Sequence, residues 1–191
     1  MSSKIKWFYY FILLTFPFEI VFFTTTTLSI NNLHIFNIFC LVEFVFISLI
    51  LIKWIFPSIA LWKLIIITLV IFAWWSWNII IFGLRTMSGY TLISENITLF
   101  LLSSIFLISI IKNGDIYALN NSKFWIAAGI FIYFTSTIIM YTYTKYIFTE
   151  TQNQIGKYYT YFHSFINIFC NIIYAIGFLC QKRKASYNYI Y

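Results

Sequence analysis

Six stretches of this chain, each 20 to 23 residues long, are apolar almost throughout: Trp7 to Thr27, Leu33 to Ile52, Leu61 to Phe82, Tyr90 to Ile111, Phe124 to Tyr143 and Tyr158 to Cys180. A helix rises about 1.5 Å per residue, so ~20 apolar residues match the ~30 Å hydrocarbon thickness of a bilayer. Within that layer no water satisfies peptide groups, which leaves helices and closed barrels as the only spanning structures. The stretches lack the period-two alternation of a barrel strand. The sequence therefore predicts an all-α polytopic membrane protein, a bundle of six transmembrane helices.

Composition agrees. Hydrophobic residues make up 62% of the chain and charged residues only 9%, against about a quarter charged in soluble domains. Six spans of ~20 residues take up roughly two thirds of the length, so residues 1–191 are expected to form a single transmembrane domain. The breaks carry turn chemistry: Ser29 to Asn32, Pro57-Ser58, Gly83, Ser88-Gly89, Asn113-Gly114-Asp115 and Asn120-Asn121-Ser122.

Basic residues in short loops set orientation. With the N-terminus inside, Lys4, Lys6, Lys53, Lys63, Lys112, Lys123, Lys182, Arg183 and Lys184 fall on the cytoplasmic side, and Arg85, Lys145 and Lys157 fall outside. That bias predicts both termini in the cytoplasm. It also accounts for the net charge of +7 without a nucleic-acid partner. Lys4 and Lys6 before Trp7 to Phe16 imitate a signal peptide, but no small-residue cleavage site follows, so a retained first helix is expected.

An ionisable group in hydrocarbon costs on the order of 2.5 to 3.5 kcal/mol on insertion scales, and such groups normally face a bundle interior and have partners. Glu19, Glu43 and Glu95 are the carboxylates to explain. At ~1.5 Å per residue they lie roughly 12, 15 and 8 Å below the outer boundary. The sixth stretch carries His163, Asn167 and Asn171 at a spacing of four, a polar stripe drifting about 40° per step, with Thr160 and Tyr174 extending it. Asn78 lies near the outer end of the third stretch, and Thr135, Ser136 and Thr137 lie in the fifth. The inner halves hold mainly Ser48, Thr68, Ser103, Ser104 and Ser109, hydroxyls able to bond their own helix backbone. The expectation is a polar pocket in the outer half, where Glu43, Glu95 and the His163, Asn167, Asn171 stripe meet. A carboxylic acid beside an imidazole there can share a proton. The plainer reading is that these amides and His163 join helices by hydrogen bonds, each worth ~0.6 to 2 kcal/mol.

Other chemistries find little support. The only histidines are His34 and His163, with no zinc-binding spacing, and there is no serine elbow or phosphate-binding glycine loop. No metal and no cofactor is expected. Cys40, Cys170 and Cys180 read as small buried apolar residues. Trp7 to Phe82 and Tyr90 to Cys180 show no sequence match as inverted repeats; their one echo is a carboxylate in each leading helix, Glu19 and Glu95.

The segments Asn31-Asn32-Leu33 with Phe36, Glu43-Phe44, and His163-Ser164-Phe165-Ile166-Asn167-Ile168 with Asn171-Ile172 resemble a pattern in uncharacterised small polytopic inner-membrane proteins of bacteria. The resemblance covers two helices. It implies a bacterial inner-membrane location and supplies no activity.

Three functions fit these residues. The first is a sensor or accessory subunit that binds a small ligand, lipid or protons in the outer pocket and signals through a membrane protein partner or a second copy of itself. The second is a small proton- or cation-coupled transporter using the three carboxylates. The third is an intramembrane lipid-modifying enzyme with Glu43 or Glu95 as base and His163 as its acid-base partner.

Overall fold

A computed structural model describes residues 3–28, 30–83, 89–112, 118–150 and 155–187. The expected turn residues Ser29, Ser88 and Asn113-Gly114-Asp115, and Arg85, lie outside the described residues. The described chain is all-helical: α1 (Ser3–Thr27), α2 (Leu33–Ile55), α3 (Leu61–Phe82), α4 (Gly89–Lys112), a 3-10 turn at Ala118–Asn120, α5 (Ser122–Glu150) and α6 (Ile155–Tyr187). Each of the six helices contains a segment long and apolar enough to cross a membrane, and the protein is a multi-pass membrane protein. Both α5 and α6 run well past their apolar stretches. Hydropathy marks residence in the bilayer, whereas the Tyr- and Thr-rich flank after Met140 has no proline or glycine to end a helix.

Packing divides the chain into two compact three-helix units, Ser3–Leu92 and Ile93–Tyr191. In the first, α1 and α2 are held by an aromatic ladder. Phe11 meets Phe46 (ring centroids 6.2 Å apart), Phe18 meets Phe39 (5.2 Å), and Phe22 meets Phe39 and Phe36 (5.8 and 6.2 Å). Residue numbers rise along α1 as they fall along α2, so the helices are antiparallel. The turn between them is closed by Asn32 Nδ2, which donates to Thr25 Oγ1 at 3.0 Å. Within the helical threonine run, Thr24, Thr25 and Thr27 donate to the carbonyls of Ile20, Val21 and Phe23 one turn back, which satisfies their hydroxyls inside the helix. Gly83 ends α3 at φ 82, a backbone conformation that glycine adopts without steric cost. Along α3 only Ile71 and Asn78 are buried; Leu69, Val70, Phe72, Trp74, Trp77 and Ile80 are exposed, as befits a surface solvated by lipid tails.

In the second unit α5 presents a buried stripe of Ile126, Ile130, Phe134 and Thr137, at the spacing of one helix face. Its partner α4 meets it through Phe100 and Phe131, 5.2 Å apart. Two glycines let α6 approach α5 closely: a Cβ at Gly129 would fall on the ring of Tyr174, and one at Gly177 would lie 3.1 Å from both Ile126 Cγ1 and Ser122 O. In lipid, where apolar contact with a neighbouring helix gains little over contact with tails, such close backbone approach is a main source of association. At the same end Trp125 Nε1 donates to Leu119 O at 2.6 Å, and Cys180 Sγ lies 3.7 Å from that carbonyl.

Candidate functional site

The strongest concentration of buried polar groups lies in the second unit. Glu95 and Asn96 on α4 are 5% and 4% exposed, and Thr137 on α5 is 2% exposed. Burial of this order requires hydrogen bonding, since an unpaired polar group in an apolar setting costs on the order of several kcal/mol. Thr137 Oγ1 donates to Asn96 Oδ1 at 2.8 Å and also lies 3.1 and 3.0 Å from the carbonyls of Tyr133 and Phe134. One turn away on α5, the Tyr133 ring packs against the His163 imidazole of α6, with centroids 6.2 Å apart and planes at 52°. The same antiparallel register that pairs Asn96 with Thr137 and Phe100 with Phe131 thus brings Glu95, Asn96, Tyr133, Thr137 and His163 to one level of the unit. Glu95 and Thr137 each lie five residues inside the end of their apolar segments, Tyr90–Lys112 and Ser122–Thr142, or about 8 Å.

The geometry of α6 explains how the stripe divides. Among its described side chains, those buried are Ile166, Cys170, Ile173 and Gly177. At about 100° per residue, His163 falls roughly 60° from Ile166, Asn167 about 100° and Asn171 about 140°. Accordingly His163 and Asn167 are partly exposed, whereas Asn171 is exposed. The drift of about 40° per step, small over one turn, carries Asn171 out of the helix interface.

The remaining candidates belong to the first unit. Asn78 is buried, and its Nδ2 donates to Trp74 O of its own helix at 2.9 Å. That bond uses one of the two N–H donors of the amide. Glu43 on α2 is partly exposed, and Glu19 on α1 is exposed; the two carboxylates lie within electrostatic reach of each other. In the register of the aromatic ladder Glu19 is level with Ile38, so Glu43 lies about 7 Å further along the bundle. His34 is partly exposed at the start of α2. Thr68, Ser103, Ser104 and Ser109 donate to carbonyls three or four residues back, as expected. Ser48 departs from that pattern: it is 1% exposed and its Oγ has no hydrogen-bond partner among the described residues.

Two buried amides, Asn37 and Asn96, escape the sequence reading. Asn96 had a signal, since it adjoins a carboxylate that cannot be left facing lipid. Asn37 lies on the face of α2 shared by Cys40 and Ser48, at positions i+3 and i+11.

Chemically, the layer offers a carboxyl, a carboxamide, two hydroxyls and an imidazole on three helices. Hydroxyl, neutral imidazole and protonated carboxyl groups each donate and accept, the group types that polar-ligand binding and proton exchange require. Among the described residues no group of three His, Cys, Asp or Glu side chains is placed to hold a metal ion. No protein-family model, curated protein or solved structure matches the chain.

Proposed function

We propose that this protein is a sensor or accessory subunit of a bacterial inner membrane, with both termini cytoplasmic, that recognises a small polar ligand, a lipid headgroup or protons at the α4–α5–α6 polar layer and passes the outcome to a membrane partner. The observation that carries this reading is the layer itself, in which Glu95, Asn96 and Thr137 are almost wholly buried while His163 and Asn167 stay partly exposed. Helix association needs one or two interhelical hydrogen bonds. A carboxyl and an imidazole at one level exceed that need, and intramembrane ionisable groups usually mark function. The exposed Glu19, flanked on α1 by exposed Phe16, Ile20 and Phe23, supports a protein partner in the membrane, because a carboxylate facing lipid tails is costly.

The test is mass spectrometry of molecules that co-purify with the protein in native lipid. Loss of one specific small molecule from both Glu95→Gln and His163→Ala supports the reading; an unchanged profile in both overturns ligand recognition at this layer.

Division of the chain into two three-helix units favours one alternative, a proton- or cation-coupled transporter, since many transporters are built from two such halves. In proteoliposomes a transporter would move protons or a monovalent cation down a gradient, dependent on Glu43 and Glu95. A sensor would show no flux above empty vesicles.

A further inference from the structure

Antiparallel packing in the second unit gathers the C-terminal end of α4, the N-terminal end of α5 and the C-terminal part of α6 at the end remote from the polar layer. Gly177 lies against Ser122 and Trp125, and Cys180 against Leu119, which fixes α6 beside the start of α5 there. Five basic residues belong to this end by position: Lys112 closing α4, Lys123 in the first turn of α5, and Lys182, Arg183 and Lys184 directly after the apolar segment Tyr161–Gln181. Because α6 stays helical to Tyr187, the last three occupy consecutive helical positions spread about 200° around the axis. Between Lys112 and Lys184 the sequence holds two acids, Asp115 and Glu150. Trp125, its indole N–H held by Leu119 O, supplies an aromatic of the kind that sits at headgroup level.

We propose that this end of the second unit is a binding surface for anionic phospholipid headgroups, with the Lys182-Arg183-Lys184 turn as its main contact and Lys112 and Lys123 completing it. Clusters of four to eight basic residues at the membrane boundary attract anionic lipid, and an arginine adds paired donors to a phosphate. Topology alone would be served by dispersed lysines. In the first unit Lys53 Nζ donates to Ile59 O at 3.3 Å and Lys63 Nζ lies 5.4 Å from the centre of the Trp62 ring.

The experiment is native mass spectrometry of the detergent-purified full chain titrated with phosphatidylglycerol or phosphatidylcholine. Wild type should retain phosphatidylglycerol preferentially, and the preference should fall as salt rises from about 0.1 to about 0.5 M. Lys182→Gln, Arg183→Gln and Lys184→Gln together should weaken phosphatidylglycerol binding at least about tenfold, while a charge-matched Lys6→Gln, Lys53→Gln, Lys63→Gln protein keeps it. Equal retention of the two lipids, a preference insensitive to salt, or an equal loss in the charge-matched protein would each overturn the proposal. The salt series on wild type keeps the test decisive even if the triple variant folds poorly.

Discussion

Gly129→Ala adds a single methyl group where α6 lies closest to α5. The new Cβ would collide with Tyr174 Cε1 and come within 2.9 Å of Cδ1 and 3.2 Å of Cζ, inside normal carbon contact distances of about 3.5 to 4.0 Å. Two effects oppose each other. Alanine is favoured over glycine in a helix by up to ~1 kcal/mol, whereas overpacking a close interface costs about 1 to 3 kcal/mol. Because the colliding atoms belong to a ring that must swing as a unit, the steric effect wins, and a net loss of roughly 1 to 2 kcal/mol is expected. The assay is reversible unfolding in mild detergent, run as a double-mutant cycle with Tyr174→Leu, which removes the ring. The cycle should show coupling of at least ~0.5 kcal/mol, with Gly129→Ala tolerated once the ring is gone. If Gly129→Ala stabilises the wild-type background, or shows no coupling to Tyr174, the close approach of these helices at Gly129 is refuted.

Gly177→Ala should cost less than Gly129→Ala, since its nearest neighbours lie at 3.1 to 3.3 Å; a larger loss in the same unfolding assay would contradict the packing described. Thr137→Val and Asn96→Leu should each destabilise the second unit, with a coupling of about 0.6 to 2 kcal/mol in a cycle, and strict additivity would deny the hydrogen bond between them. Ser48→Ala should be neutral or stabilising by up to ~1 kcal/mol, because it removes a buried hydroxyl that has no partner among the described residues. A clear loss of thermal stability in Ser48→Ala would mean that the hydroxyl is satisfied.

Helix number and class were legible in the sequence because length and lack of charge translate directly into a bilayer span. The divided packing was not. Nothing in the apolar alphabet of α1 to α6 says which faces meet; that was decided by shape, by the phenylalanines at 11, 18, 22, 36, 39 and 46 and by the absence of a Cβ at 129 and 177. Among the site candidates, Glu95 and His163 were readable as costly groups in hydrocarbon. Asn171 is exposed because a four-residue repeat overshoots the 3.6-residue turn, so a stripe straight on paper leaves the buried face of the helix within two turns. Asn78 is bonded within its own helix, to Trp74 O, a contact that a residue list does not reveal. Asn96 was overshadowed by its neighbour.

The central claim is that the polar layer borders a space reached by water and solute from the outer side, and does not merely join helices. Single cysteines along α6, in a background with Cys40, Cys170 and Cys180 replaced, test it through labelling of intact cells by a membrane-impermeant thiol reagent. A thiol reacts as the thiolate, which needs water. The account predicts labelling at His163→Cys and Asn167→Cys, protection of the lipid-facing Ile168→Cys, which is 62% exposed in the isolated chain, and no external labelling of a cysteine at Lys182. Silence at both 163 and 167, or equal labelling at 168, would contradict it.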